Sequence, residues 1–410
     1  MVRQKWTQAW CCVFLLVISL LVPVAEAEGY NSVALSQKST STTSKTSKTT
    51  SKAKSPKQRK AVAQSSQIVN SYLPLVSAEA AVLMDVSTGD VLFDKQAFKR
   101  KPPASTTKIM TTILGLELGR PDEVVTVSPK AAAVGESTIH LDPGEKITLY
   151  ELITGALVRS GNDACVAIAE QIAGSEQQFL KLMNRKALAL GAQNTHFANT
   201  NGLPNKDHYS TAYDLALMAS HGLQLPAFAS ITRQKETDIH FLEPDTFMNV
   251  RNTNKLLWNY PFADGVKTGT TNAAGKCLVA SATKEDRQLV VVVLNAPNRF
   301  GDAQKLLEWG FLQTEIIKIA EAGQVVAEFP LSGTPAIKAF IEYPLLVSIR
   351  KSSRAKLETR IIWERGQDLP VIAGEKLGHY EIWLNGQRIR ILPLLSELEV
   401  KAKTLPWGKD

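Results

Sequence analysis

Apolar residues saturate two stretches in the second half of the chain, Cys277-Leu278-Val279-Ala280-Ser281-Ala282 and Leu289-Val290-Val291-Val292-Val293-Leu294. Runs of that length, rich in β-branched residues, read as strands. Earlier, Ala80-Ala81-Val82-Leu83-Met84 and Val91-Leu92-Phe93 flank Asp85-Val86-Ser87-Thr88-Gly89-Asp90. That pattern predicts an antiparallel hairpin around a glycine-containing turn. The period then changes. Pro102 and Pro103 lack backbone donors, so a helix in this region must begin after them. Helix-compatible, mostly apolar residues follow over 107–118. Leu149, Leu152, Ile153, Ala156 and Leu157 recur at helical spacing and predict a helix over 149–159. It breaks at Ser160-Gly161-Asn162, and a further helix is expected over 163–173. A helical stretch at 303–311 closes this region, after which residues 314–402 read as short alternating strands. Asn385-Gly386 between two of them is a strong hairpin signal. The expectation is a mixed α/β domain over 71–313 followed by an all-β domain, a small β-sandwich, over 314–404.

The N-terminus does not belong to either domain. Arg3 and Lys5 precede an uncharged run over 6–25 that ends in Ala25-Glu26-Ala27. A basic start, an apolar middle and small residues before the cut describe a secretory signal with cleavage after Ala27. An uncleaved anchor is the alternative, although the run falls just short of the roughly 20 residues of a membrane span. Either way the bulk of the chain is expected outside the cytoplasm, in the periplasm or on the outer face of the membrane. Residues 28–70 are a Ser/Thr/Lys tract that cannot bury enough apolar surface to offset its ordering entropy, so disorder is expected.

Charge changes the picture. The chain carries +8, of which residues 1–27 supply +1 and residues 28–70 supply +7, so residues 71–410 are balanced. The basic character thus belongs to a tether rather than to a folded nucleic-acid-binding surface. Its expected contact, if any, is weak attraction to anionic wall polymer or membrane. Beyond the signal segment only Cys165 and Cys277 occur, too few for a disulfide scaffold, with one bridge between them as the alternative to two free thiols. The six histidines (140, 196, 208, 221, 240 and 379) show no metal-ligand spacing. No metal or other cofactor is expected.

Candidate chemistry begins at Ser105 and Lys108. They sit at i and i+3 at the expected helix start, where side-chain roots come within about 5–6 Å. A lysine amine kept neutral by desolvation can take the proton of a serine hydroxyl. Alone this pair is weak, because the same spacing recurs at Ser51/Lys54, Ser281/Lys284, Ser348/Lys351 and Ser353/Lys356. Ser160 and Asn162 project a hydroxyl and an amide from the inter-helix break. Lys267-Thr268-Gly269 occurs once and offers a cation, a hydroxyl and an approachable backbone on a strand edge.

Taken in order, Ser105-x-x-Lys108, Ser160-x-Asn162 and Lys267-Thr268-Gly269 resemble the penicillin-binding proteins and serine β-lactamases. Four longer stretches are similar to the low-molecular-mass D-alanyl-D-alanine carboxypeptidases: residues 103–111, 159–164, Asn201-Gly202-Leu203-Pro204 with His208-Tyr209-Ser210-Thr211-Ala212, and 264–269. Residues 371–378 and Pro393-Leu394-Leu395 resemble the β-domain appended to many of them. The resemblance implies an antiparallel sheet covered by helices, with the site between sheet edge and helical lobe. It also implies roles. Ser105 would attack the carbonyl of the penultimate D-alanine, with Lys108 as base, and Ser160 would relay a proton to the leaving D-alanine. Asn162 would position Lys108 and the substrate amide. Lys267 and Thr268 would hold the terminal carboxylate. Gly269 would admit the substrate, and backbone N–H groups of Ser105 and Thr270 would form the oxyanion hole. Implied partners are peptidoglycan stem peptides ending in D-Ala-D-Ala and β-lactam antibiotics.

Tyr213 departs from the family, in which many members carry arginine, with a change of substrate preference as the expected consequence. The closing Thr404-Leu405-Pro406-Trp407-Gly408-Lys409-Asp410 is too short for the amphipathic anchor with which relatives often end. The rival functions are a β-lactamase and a non-catalytic penicillin-binding sensor. A lactamase-like Glu-x-x-Leu-Asn does occur, at Glu381, but after the third motif and in an expected β-hairpin.

Overall fold

The computed structural model describes residues 73–401, which belong to one compact unit, Ile68–Asp410. The expected signal segment, the basic linker with its expected polymer contact, and residues 404–410 lie outside the described residues. The hairpin strands β1 (Ala80–Asp85) and β2 (Val91–Lys95) come first. A 3-10 turn, Ala104–Thr107, leads into α1 (Lys108–Leu118). Next come β3 (Val124–Thr126), the short α2 (Pro129–Ala132), β4 (Lys146–Thr148) and α3 (Leu149–Thr154). A π-helical turn, Gly155–Arg159, separates α3 from α4 (Asn162–Ala173). Helices α5 (Glu176–Ala189), α6 (Ala212–Leu223) and α7 (Pro226–Thr232) follow. Ser128, Thr148, Ser175 and Thr211 cap α2, α3, α5 and α6 by accepting a first-turn backbone N–H.

Strands β5 (Glu236–Glu243) and β6 (Thr246–Arg251) form a hairpin beside β4 and β3. After the short α8 (Leu256–Asn259), strands β7 (Ala263–Thr271), β8 (Gly275–Lys284) and β9 (Arg287–Leu294) join the first hairpin. The resulting antiparallel sheet has the order β2-β1-β9-β8-β7, which leaves β7 at an edge. The final helix of this domain is α9 (Arg299–Gln313).

The uninterrupted apolar run in β9 has a physical reason. Val290, Val292 and Leu294 face a core made with α1, α4 and α6, whereas Leu289, Val291 and Val293 face a second core under α9. A strand buried on both faces needs no polar alternation. Each such side chain contributes about 1.5–3 kcal/mol on burial. The expectation of an antiparallel sheet covered by helices therefore holds. Cys165 and Cys277 are buried free thiols, so no bridge joins them.

The chain continues into β10 (Thr314–Ala320), β11 (Val325–Leu331), β12 (Thr334–Phe340), β13 (Leu345–Arg350), β14 (Leu357–Trp363), β15 (Lys376–Leu384) and β16 (Gln387–Ser396). A two-stranded sheet (β10-β13) and a five-stranded one (β11-β12-β16-β15-β14) share one core around Phe329, Ile337, Val347 and Leu394. The β1–β2 turn braces this all-β part. Asp90 accepts from the Ser348 N–H at 2.7 Å and pairs with Arg390, and Arg287 joins Asp85 at 2.8 Å to the Thr314 carbonyl at 3.0 Å. Among the described residues no helix is long and apolar enough to cross a membrane.

Candidate active site

The expected helix start is tighter than the sequence suggested. Ser105 lies in the 3-10 turn before α1, and Ala104 ahead of it takes a left-handed φ of 49°. Such a conformation costs a non-glycine residue roughly 1–2 kcal/mol and persists only where neighbours enforce it. Two glycines do so. A Cβ on Gly202 would lie 1.9 Å from the Ala104 carbonyl oxygen, and one on Gly269 would lie 2.9 Å from the Ser105 nitrogen. The turn is thus pressed between the 199–203 loop and the edge strand β7. Behind it, Ala198 N–H donates to His208 Nδ1 at 3.0 Å, which assigns the ring proton to Nε2. Nε2 then donates to Thr107 Oγ1 at 2.7 Å, and Thr107 donates to the Ala104 carbonyl at 2.8 Å. Burial, followed by the nearby His196, pushes the His208 pKa down to about 4, so this chain of donors stays neutral at physiological pH.

Lys108 is fully buried at the first position of α1. Its Nζ lies 3.0 Å from Ser105 Oγ, 2.7 Å from Asn162 Oδ1 and 2.7 Å from the Asn201 carbonyl. The second and third of these partners can only accept, and the Asn162 amide is fixed in that sense because its Nδ2 donates to the Gly135 carbonyl at 2.9 Å. A neutral amine has two protons and one lone pair. With both protons committed, the lone pair is left for the Ser105 hydroxyl. The pKa brings that state within reach of neutral pH. Burial lowers it to about 8, with the negative charges of Asp163 and Glu136 opposing the shift.

Asn162 opens α4, and Asp163 beside it accepts from the N–H groups of Ile139 and Leu141, fixing the 135–141 loop against the helix. Ser160 ends the π turn at φ 73°, nearly buried. Its hydroxyl has no hydrogen-bond partner among the described residues. Asn162, expected to meet a substrate amide as well, has its Nδ2 engaged by Gly135.

Lys267, Thr268, Gly269 and Thr270 lie on β7, whose other edge pairs with β8. Lys267 is buried, with its Nζ 3.3 Å from the Thr268 carbonyl. Burial holds its pKa well below the usual lysine range, and Lys108, while protonated, lowers it further. A carboxylate arriving there would reverse that shift, because an opposite charge within about 4–6 Å favours the ammonium form. Arg299 clasps the strand: its Nη1 donates to the Gly269 carbonyl at 2.9 Å and to Thr270 Oγ1 at 2.8 Å.

The structure thus brings Ser105, Lys108 and Asn162 into direct contact and sets Gly269 against the Ser105 turn. Several contributors carried no role in the sequence reading. The Asn201 carbonyl, Gly202 and His208 stood in family-like stretches but act through backbone and tautomer. Thr253 and Arg299 gave no signal at all. Thr253 Oγ1 lies 2.6 Å from Thr268 Oγ1, and its N–H donates to the Val158 carbonyl at 3.3 Å, so it ties the third motif to the second. Glu381 is elsewhere, on β15, where Arg388, Trp383 and His379 take up its carboxylate. The described residues contain no metal-ligating cluster.

Comparison with known proteins agrees with this geometry. Residues 60–298 match the D-alanyl-D-alanine carboxypeptidase peptidase family, and residues 315–402 match the penicillin-binding protein 5 C-terminal domain. The chain belongs to the D-alanyl-D-alanine carboxypeptidase family. It is 36% identical over 339 residues to D-alanyl-D-alanine carboxypeptidase DacF of Bacillus subtilis, covering 79% of this chain and 86% of that one. It is 33% identical over 349 residues to DacA of Escherichia coli, covering 80% and 85%. Penicillin-binding protein 5 from Haemophilus influenzae superposes with a TM-score of 0.72 at 30% identity, over 81% of this chain and 99% of that one. The chain is accordingly a serine-type carboxypeptidase of the low-molecular-mass penicillin-binding class, with an appended all-β domain.

Proposed function

We propose that Ser105 is the nucleophile with which this carboxypeptidase removes the terminal D-alanine from peptidoglycan stem peptides ending in D-Ala-D-Ala. The carrying observation is the contact of Lys108 Nζ with Ser105 Oγ at 3.0 Å while the Asn162 and Asn201 acceptors hold it at 2.7 Å each, so that in the neutral amine the lone pair is free to face the Ser105 hydroxyl. Lys108 takes the hydroxyl proton as Ser105 Oγ bonds to the carbonyl carbon of the penultimate D-alanine. The N–H groups of Ser105 and Thr270 hold the oxyanion. Ser160 relays the proton taken by Lys108 on to the departing nitrogen as the peptide bond breaks, which leaves both groups as they began. Water then cleaves the ester, adding its hydroxyl to the acyl carbon and returning a proton to Ser105 Oγ. Lys267 and Thr268 bind the terminal carboxylate, with Gly269 allowing close approach. β-Lactams enter the same reaction as acylating agents. Such a role places the protein beyond the cytoplasmic membrane, in line with the signal-like residues 1–27.

The test is release of D-alanine from a stem pentapeptide together with mass mapping of the penicilloyl adduct. The adduct should fall on Ser105 and outlast a peptide turnover, since the leaving group stays tethered and the lactamase-like Glu381 is engaged elsewhere, on β15. An adduct on another serine, or penicillin hydrolysis as fast as peptide turnover, would refute the assignment.

Thr253 tests the carboxylate pocket. One hydroxyl of the Thr253/Thr268 pair must donate to the other, and donation by Thr253 frees the Thr268 proton for the substrate carboxylate. Thr253→Val should raise KM for the peptide about tenfold with kcat little changed, the size of one lost hydrogen bond in uniform binding. An unchanged KM would remove Thr253 from the site.

A further inference from the structure

Beside the Ser105 turn lies a cavity of about 420 Å³ whose walls include Arg100, Lys101, Pro102, Lys206, Tyr209 and Ala273. Its place along the strand matters. On β7, Lys267 and Thr268 precede Gly269, which packs against Ser105, and Ala273 stands beyond the end of the strand in the turn to β8. A peptide with its terminal carboxylate at Lys267 and Thr268 and its scissile carbonyl at Ser105 must run its N-terminal part towards Ala273. At about 3.3 Å per residue, the groups one and two positions before the penultimate residue extend about 3–7 Å along that line, towards the cavity.

The lining contains three cations and no carboxylate. Lys101 is committed to Glu79 at 2.7 Å, so its charge is largely answered. Arg100 is not. Its guanidinium sits 4.7 Å over the Tyr209 ring, and its Nε and Nη2 donate to Asn194 Oδ1 at 3.3 and 3.0 Å. Nη1 is left over. Lys206 is exposed and forms no ion pair among the described residues. An arginine held flat by an aromatic face and an amide loses little freedom when it takes up a carboxylate. We propose that this cavity is a subsite for a carboxylate carried by the acyl-donor part of the substrate, one or two residues before the penultimate one. The proposal rests on the reading of Ser105 and Lys267 given above, which sets the direction of the peptide.

The experiment uses N-acylated peptides ending in D-Ala-D-Ala. One pair carries a side-chain carboxylate or its carboxamide on the residue just before the dipeptide, and a second pair carries them one residue further back. The wild type should prefer acid over amide in one pair by about five- to tenfold in kcat/KM, the range of a charge-assisted hydrogen bond near the surface. The responding pair identifies which residue supplies the carboxylate. The Arg100→Gln/Lys206→Gln variant should bring the ratio below about twofold, because the charge-assisted partner is gone. It should release D-alanine from a peptide without either carboxylate as fast as the wild type. No acid preference in either pair, or a preference that survives in the variant, overturns the subsite. If the wild type fails to release D-alanine even from the uncharged peptide, the catalytic reading falls, and the subsite with it.

Discussion

Exchange of Lys108 for methionine is expected to slow acylation of Ser105 by penicillin about 10²–10⁴-fold, the usual worth of a general base. Methionine fills a similar buried volume without a lone pair, so the serine loses only its proton acceptor. The cost to the fold should be real but bounded. Asn162 Oδ1 and the Asn201 carbonyl each lose a donor, at about 1–3 kcal/mol apiece if no water replaces it. Thermal unfolding measured beside the acylation rate separates the two effects. The pH dependence supplies the sharper test. Burial lowers the Lys108 pKa from the usual lysine range to about 8, and only the deprotonated amine has a lone pair. In the wild type, acylation should therefore rise about tenfold per pH unit up to about 8 and level off above it. In Lys108→Met that limb should vanish, leaving a shallow profile. A variant that keeps the wild-type limb would assign the base to another group.

The parts of this arrangement legible in sequence are those that depend on local pattern. Pro102-Pro103 fixes where α1 can begin, the apolar spacing over 149–159 stops at Ser160-Gly161, and the β-branched run at 289–294 reads as a strand, which the structure shows buried on two faces. The first two place Ser105 at a helix start and Ser160 in a loop, and Lys267 reads as strand from its position ahead of the β-like run at 277–282. Backbone conformation was not legible. Ala104 and Ser160 both adopt positive φ, and neither residue type announces it. The 3-10 and π turns at the same two places follow from packing across the site, not from propensity. Contacts made by carbonyls were equally silent, since the Asn201 group that orients Lys108 is its main chain. Thr253 is an ordinary threonine in sequence, distinguished only by a partner fifteen residues away.

Gly202→Ala should cripple the enzyme without touching any side chain assigned to the chemistry. Gly202 has φ 91°, and an added Cβ would meet three backbone atoms: the Ala104 oxygen at 1.9 Å, its carbon at 2.3 Å and the Ser105 nitrogen at 2.8 Å. No side-chain rotation can relieve contacts with backbone, so either the 199–203 loop or the Ser105 turn must move by about an ångström or more. Both movements are harmful. Shifting the turn displaces Ser105, the proposed nucleophile, and shifting the loop withdraws the Asn201 carbonyl that takes one proton of Lys108. Misplacement on that scale costs on the order of 10²-fold in rate. The left-handed conformation itself adds roughly 1–2 kcal/mol for any residue with a Cβ. Gly144 provides the control, because it has φ 86° with nothing within 4 Å of its would-be Cβ. Gly144→Ala should share the conformational cost and keep wild-type acylation. Gly202→Ala should lose more stability than that and acylate about a hundredfold more slowly. Equal acylation rates in the two variants would show that the close packing of Gly202 on the Ser105 turn is not what holds the nucleophile in place.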